Sequence, residues 1–413
     1  MRFPSAMRIP ALLFCLGSLP VWAVDQIPIL TDGTGLLDGP TLFGDLGGLR
    51  SGFAQHGLIF EARLLADGTL LSHDGLVEGN RDFARYLLEV GMTMDVATFM
   101  GLGGAGRITA TWQSIGGDMN VAAEAGVLQR VSWLDVDDRD QLGRLFYIQP
   151  FFDEAFSLKA GKDEVIRDFA TNSFAGEFLN ESNRRQMSMF AMPKFPDSAT
   201  MGLANLTIGS WFIQAGGYDG RSVTNGKETG KDWLSIPEND FFLIAETGLS
   251  YDDRRKGHIG GVKVGFWEHT GTFANFNGGQ TNGVNGYYVQ ADYMLMDEGH
   301  SRTPKGIGGW IHFGETDDEV TVYKRQLDIG GIWRGFMPSR PYDALGVSHS
   351  WLETTRAPGS TTNANERMLE AFYAFRAAGW LTLQPDIQWF IHPGGQGGAS
   401  DIYAGSIRGT LTF

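Results

Sequence analysis

From Leu58 onward the chain alternates apolar and polar residues with a period of two. In the last run, Tyr403, Gly405, Ile407, Gly409, Leu411 and Phe413 fall on one side, and Ala404, Ser406, Arg408, Thr410 and Thr412 on the other. Side chains of a strand point alternately to its two faces, so each run has an apolar or bare face and a polar one. The run before it sets Leu381, Leu383, Ile387, Trp389 and Ile391 against Thr382, Gln384, Asp386 and Gln388. The one before that sets Leu369, Ala371, Tyr373 and Phe375 against Glu370 and Arg376. Earlier runs start at Leu58, Tyr86 and Ile108, then near Arg144, Ala155, Met201, Trp211, Phe241, Ile259, Tyr287, Ile307, Gln326 and Leu345. The pattern predicts about 16 strands.

Alternation has two common causes. In a soluble sheet the apolar face meets a core; in an outer-membrane barrel it meets lipid, and the polar face lines a lumen. The connections separate the two. Short ones are expected near Ala97–Ala105, Phe151–Glu154, Gly209–Ser210, Tyr251–His258, Asp297–Lys305, Phe336–Asp343 and Ala377–Trp380. Between them come long ones, near Ser114–Gly143, Asp163–Thr200, Tyr218–Asp240, His269–Gly286, Glu315–Lys324 and Glu353–Asn365. An up-and-down sheet sends alternate connections to opposite ends, so short turns gather at one end and long loops at the other, as periplasmic turns and extracellular loops do. A final strand that runs out to Phe413 fits the same expectation. The predicted fold is all-β: a closed antiparallel transmembrane barrel with long extracellular loops. The register puts Arg63, Arg107, Lys159, Glu246, Lys263, Asp292, Arg376 and Arg408 on the polar face.

Ahead of the strands, Leu42 to Gly57 reads as a short helix with Leu46, Leu49 and Phe53 at helical spacing, an amphipathic cap. Residues 1–23 read as an export signal: Arg2 and Arg8, an apolar centre from Ile9 to Leu19, then Val21-Trp22-Ala23. The expected organisation is a signal peptide over 1–23, a periplasmic segment with the helix over 24–57, and the barrel over 58–413. The one cysteine, Cys15, lies inside the signal, so no disulfide framework or thiolate chemistry is expected beyond it. No stretch approaches a helical membrane span. The formal net charge of −15 argues against nucleic-acid binding.

Chemistry-bearing motifs are few. Gly101-Leu102-Gly103-Gly104-Ala105-Gly106 fits a dinucleotide fingerprint in letters, but a strand follows where a helix is needed, so it reads as a turn. Asp135, Asp137, Asp138 and Asp140 lack the turn glycine and terminal Glu of a calcium loop and read as a solvated acidic tip, with ion-bridged lipopolysaccharide as a lesser alternative. No histidine pair, serine elbow or metal set stands out, so no catalytic residue, metal or cofactor is assigned.

Several segments resemble the carbohydrate-selective porins of the OprB type. Gly44-Asp45-Leu46-Gly47-Gly48-Leu49-Arg50 is similar to the family's opening motif, with Leu46 where that motif usually has Trp. Leu158 to Asp163 followed by Phe178-Leu179-Asn180 resembles its strand-and-loop pair. Pro338-Ser339-Arg340-Pro341-Tyr342-Asp343 with Leu345-Gly346 resembles its late periplasmic turn. Trp380 to Gln388 with His392-Pro393-Gly394-Gly395 resembles its closing hairpin. The resemblance implies a barrel of 16 strands in the outer membrane of a Gram-negative bacterium. It would pass small sugars passively through a pore narrowed by loops that fold inward. The expected partners are outer-membrane lipid and lipopolysaccharide, and the barrel-assembly machinery acting on the last strand, ending at Phe413, with a homotrimer left as an option.

The loop Asp163–Thr200 is the candidate constriction, offering Arg167, Asp168, Glu177, Arg184, Arg185 and Lys194. Opposed charges across a narrow lumen can exchange hydrogen bonds with sugar hydroxyls. Glu246, Lys263 and Arg408 join them from the polar face of the strands. Trp267, Tyr288 and Trp310 on that face could stack on a pyranose ring. The plainer alternative makes the charges a solvated loop surface and the aromatics interface residues. The rival function is a secreted soluble β-protein that binds or cleaves polysaccharide; a plugged active transporter would need about 22 strands and a plug.

Overall fold

The computed structural model describes residues 39–72, 82–235, 238–253, 258–299 and 305–413. The proposed signal peptide lies outside these residues, as do parts of the turns expected at Tyr251–His258 and Asp297–Lys305. Sixteen strands are found among the described residues. The first half comprises β1 (Leu58–Leu71), β2 (Asp82–Asp95), β3 (Arg107–Gly117), β4 (Arg139–Phe151), β5 (Phe156–Asp163), β6 (Ala199–Ile208), β7 (Trp211–Asp219) and β8 (Phe241–Asp253). The second half comprises β9 (His258–Ala274), β10 (Gln280–Gly299), β11 (Lys305–Thr316), β12 (Tyr323–Arg334), β13 (Ala344–Thr354), β14 (Glu366–Ala378), β15 (Leu381–Ile391) and β16 (Ile402–Thr412). Each pairs antiparallel with its neighbours in sequence, and β1 pairs with β16 from Arg63↔Thr412 to Leu71↔Ala404. The sheet therefore closes on itself and leaves no edge.

The two faces follow the predicted register. Along β9, Val262, Val264 and Phe266 are exposed outward while Lys263 and Trp267 turn inward. In β16, Tyr403 and Ile407 are exposed, and Ala404, Ser406 and Arg408 are buried inside. An apolar face this continuous needs hydrocarbon against it. Aromatics mark its rims: Trp389 and Tyr403 stack at 5.9 Å near one end of the wall, and Trp333 is exposed near the other.

The alternation of connection lengths holds with two exceptions, one of them the short link 317–322 between β11 and β12 where a long loop is expected. Residues 118–138, 164–198 and 220–240 form long loops, and 152–155, 209–210 and 379–380 form tight turns at the opposite end. The segment expected to be a long loop over His269–Gly286 is instead a hairpin. β9 and β10 extend to 17 and 20 residues and meet at a turn over 275–279. Their added length has polar residues such as Thr270, Thr272 and Asn282 on the outward face, so the apolar outward period does not mark it.

The N-terminal helix is shorter than expected. A short 3-10 turn at Leu46–Gly48 leads into α1 (Leu49–Gln55). Leu46, Leu49 and Phe53 do not cover a core; all three are exposed. Phe53 meets Phe60 edge-on at 5.3 Å on the outward face of β1, and Phe43 stacks on Phe413 at 5.9 Å. The glycine-rich segment 101–106 is a turn, with Gly101 and Gly104 at φ of 68° and 79°, and β3 follows at once.

Inward-facing glycines leave room beneath the loops. A Cβ on Gly308 of β11 would stand 2.1 Å from Phe174 Cδ1, so only glycine lets that ring lie against the wall.

Replacing Ile407, mid-strand on the lipid face, with Arg should cost about 2–4 kcal/mol. Urea unfolding of the barrel refolded into phospholipid vesicles, followed by tryptophan fluorescence, measures this; a loss under about 0.5 kcal/mol would show that the residue does not face hydrocarbon.

Candidate functional site

The loop over 164–198 carries Phe169, Phe174, Phe178, Leu179, Met187, Met189 and Met192, all buried. Residues this apolar do not stay in water when a surface is available. The available surface is the inner wall. Phe169, Met189 and Met192 pack with Phe242, Trp267 and Tyr288, and Phe174 and Phe178 pack with Met294, Trp310 and Phe372. Edge-to-face contacts at 4.8 Å join Phe178 to both Trp310 and Phe372.

Charged wall residues then hold the loop backbone. Glu246 of β8 accepts from the Ala170 N–H at 2.8 Å and from the Tyr288 hydroxyl at 2.6 Å. Lys263 of β9 donates to Thr171 O at 2.7 Å, and Asp292 of β10 accepts from the Ser173 N–H at 3.1 Å. Arg334 of β12 grips Glu177 at 2.5 Å, and Gln384 of β15 donates to Glu177 O at 2.7 Å. Glu370 of β14 accepts from Leu179 N–H at 2.6 Å, Asn180 N–H at 3.3 Å and Asn183 Nδ2 at 2.5 Å. Asn180 caps the one-turn helix Glu181–Arg184 by accepting from Ser182 N–H at 2.9 Å. These anchors run from β8 to β15, so the loop crosses the inside of the barrel.

A second loop enters beside it. Glu366 of β14 accepts from the N–H groups of Leu128 and Gln129, both at 2.8 Å. Arg408 of β16 forms a two-pronged pair with Asp67 of β1 at 2.6 Å and reaches Ser132 at 3.2 Å. Asp135 is not a solvated tip. It is buried and accepts from Val121 and Ala122 N–H at 3.2 and 2.8 Å, capping the start of the helix Val121–Ala125. No group of acidic or histidine side chains able to hold a metal occurs among the described residues.

Where the two loops face β2, they enclose a cavity lined by Glu89, Trp133, Glu164, Ile166, Arg167, Glu181, Arg184, Arg185, Lys194 and Phe195. Its charges interlock. Glu89 pairs with Arg63 of β1, Arg167 approaches Glu164 at 3.3 Å and Glu89 at 3.8 Å, and Arg185 pairs with Glu181 at 2.5 Å. Arg184 lies over the Trp133 ring at 3.8 Å, with Arg408 on the same ring at 5.2 Å. Burial opposes the charge on Glu181, but Arg130 and Arg185 outweigh it and hold its carboxyl below the usual range. Burial and the cations Arg408, Arg167 and Arg63 bring Arg184 down to about 9. Burial, with Arg185 and Arg130 nearby, brings Lys194 down to about 7.

The residues singled out from sequence therefore divide. Arg167, Arg184, Arg185 and Lys194 meet at the cavity. Asp168 sits behind them, bound by Lys159 at 2.6 Å. Glu177, Glu246 and Lys263 hold the loop, and Arg408 ties β16 to β1. Trp267 and Tyr288 are 0% exposed and Trp310 is 4% exposed, so loop side chains rather than open lumen cover their rings. Sequence reasoning passed over Glu89, Trp133, Glu181, Glu366 and Glu370. A carboxylate in mid-strand on the polar face was the signal available for Glu89 and Glu370; nothing local marked Trp133.

Residues 82–413 match the carbohydrate-selective porin family, OprB. The chain belongs to that family. Its barrel superposes on the high-pH structure of Pseudomonas putida OprB with a TM-score of 0.81 at 17% identity, over 91% of this chain and 99% of that one. The low-pH structure of the same protein gives a TM-score of 0.59 at 15% identity, over 91% and 99%. OmpT of Vibrio cholerae, expressed in the outer membrane, gives 0.51 at 10% identity, over 86% and 97%. These likenesses are of fold. No curated protein matches the chain by sequence. As an OprB-family porin, the chain resides in the outer membrane of a Gram-negative bacterium.

Glu370 holds two loop N–H groups and Asn183, so Glu370→Ala should cost about 1–3 kcal/mol for each donor left unmet. In planar bilayers the variant should conduct at least about twice as much as the parent, with noisier openings, as the loop leaves the lumen. Unchanged conductance, from barrels that still shift in mobility when unboiled, would mean the loop does not narrow the path.

Proposed function

We propose that the chain lets small sugars diffuse passively across the outer membrane through a lumen narrowed by the 164–198 loop. The observation that carries this reading is the facing of loop and wall charges around one cavity, with Arg167, Arg185 and Lys194 beside Glu89 and Glu181. Alternating donors and acceptors can take over the hydrogen bonds of sugar hydroxyls as water is shed. A neutral solute held only by such bonds can also leave, which conduction requires. No bond is made or broken and no energy source is used.

Membership of the carbohydrate-selective porins supports sugars as the solutes. In this reading the buried Trp267, Tyr288 and Trp310 contribute by fixing the loop, and the charged groups at the cavity meet the sugar. The soluble polysaccharide-binding alternative has no answer to the exposed apolar wall.

Purified protein in planar bilayers should show ion channels whose current falls as glucose is added, and vesicles bearing it should swell in isotonic glucose. Correctly folded barrels that carry no current and admit no sugar would end the proposal.

A further inference from the structure

We propose that the segment 42–55 is a membrane-surface clasp. In place of the periplasm expected for it, it lies in the phospholipid leaflet at the short-turn end of the barrel, seated by Phe43, Leu46, Leu49 and Phe53. From there it holds down the end of the β1–β16 seam.

The first argument is exposure. Leu49 and Phe53 share one side of α1, with Ser51 and Gln55 opposite. Leu49 is 59% exposed, and Phe43 and Leu46 just before it are similarly open. An amphipathic helix normally turns its apolar side to a core. This one turns it away from the protein, and an interfacial helix gains by doing so where acyl chains receive that side.

The second argument is continuity with the lipid-facing wall. Phe53 meets Phe60 edge-on at 5.3 Å, and Phe60 belongs to the outward face of β1. At its other end α1 abuts the next turn. Gly57, at φ of 81°, lies so near the one-turn helix Val96–Met100 that a Cβ there would stand 2.9 Å from Thr98 Cβ. That helix exposes Phe99 and Met100, and Phe152 of the following turn is 81% exposed. Elsewhere on the same end the connecting sequences are hydrophilic: Arg254-Arg255-Lys256-Gly257 follows β8, and His300-Ser301-Arg302 follows β10. An apolar rim that begins at α1 and runs on along neighbouring turns suits acyl chains. A second copy suits it less. Four side chains on a short segment fall well below the roughly 800 Å² that each partner gives to a stable protein interface.

The third argument is what the segment grips. Leu42 N–H donates to Thr412 O at 2.8 Å, and Arg50 Nη2 donates to Phe413 O at 2.5 Å. Phe43 stacks on the Phe413 ring. Phe413 N–H in turn donates to Ala62 O of β1 at 2.9 Å. A helix fixed in the leaflet therefore braces the last residues of β16 against β1.

The test uses the full chain with Cys15→Ser, refolded into phosphatidylethanolamine and phosphatidylglycerol vesicles. Single cysteines carry a nitroxide, and its collisions with oxygen and with a water-soluble nickel chelate are compared. Phe266→Cys gives the lipid reference and Ser339→Cys the water reference. The oxygen-to-nickel ratio at Leu49→Cys should lie within about twofold of the lipid reference, and Ser51→Cys should read closer to water. A Leu49 label that matches the water reference overturns the leaflet contact. So does a label shielded from both reagents whose broadened spectrum sharpens on dilution with unlabelled barrels, which would make a second copy the occupant. In Leu49→Asp with Phe53→Asp, a label at Leu46→Cys should move to the water value. Amide exchange of the peptide carrying Thr412 and Phe413 should quicken at least about tenfold in barrels that still shift in mobility when unboiled. Unchanged exchange overturns the clasp and leaves the leaflet contact standing.

Discussion

Hydrocarbon offers no partner to a backbone N–H or C=O, and this fixes the architecture. A strand may cross the membrane only if both its edges are paired, so the sheet must close. The β1–β16 pairing, from Arg63↔Thr412 to Leu71↔Ala404, is the seam that meets this demand. With closure comes an inside and an outside, and the period of two sorts side chains between them. Thus Ile407 faces lipid while its neighbour Arg408 turns inward to Asp67.

An interior opened in this way is wide, and the protein refills much of it with its own loops. The inner wall is correspondingly mixed. Greasy patches around Trp267 and Trp310 receive the phenylalanines and methionines of the 164–198 loop. Buried carboxylates such as Glu246 and Glu370 accept from loop N–H groups that have left water. Neither device would suffice alone. Apolar contact without hydrogen bonds would strand the loop backbone, and hydrogen bonds without apolar contact gain little over water.

This division explains what could be read from the sequence. The strands were legible because lipid imposes a simple alternation over each run, and all sixteen occur where runs were predicted. The hairpin β9–β10 escaped in its outer half because, past the membrane, polar residues such as Thr270 and Asn282 replace the apolar ones on the outward face. The loop path was not legible. It follows no period, and its anchors lie far away in sequence, 191 residues in the case of Leu179 and Glu370. Asp135 misled for a related reason: four nearby aspartates read as one acidic tip, but this one is buried as a helix cap. For the candidate site, composition pointed to the loop that lines the cavity and to Arg167, Arg184, Arg185 and Lys194, yet not to Glu89, Glu181 or Trp133 facing them.

The fate of the inward aromatics bears on how such a pore would discriminate. A stacking surface for sugar rings needs an exposed aromatic face, and Trp267, Tyr288 and Trp310 have none to offer. Trp133 borders the cavity, but Arg184 at 3.8 Å and Arg408 at 5.2 Å already occupy the positions over its ring. Apolar recognition is thus spent on seating the loops, and charged groups remain to meet a solute. Charges that are paired with one another are rigid and nearly neutral in sum, so they set shape and offer hydroxyl partners.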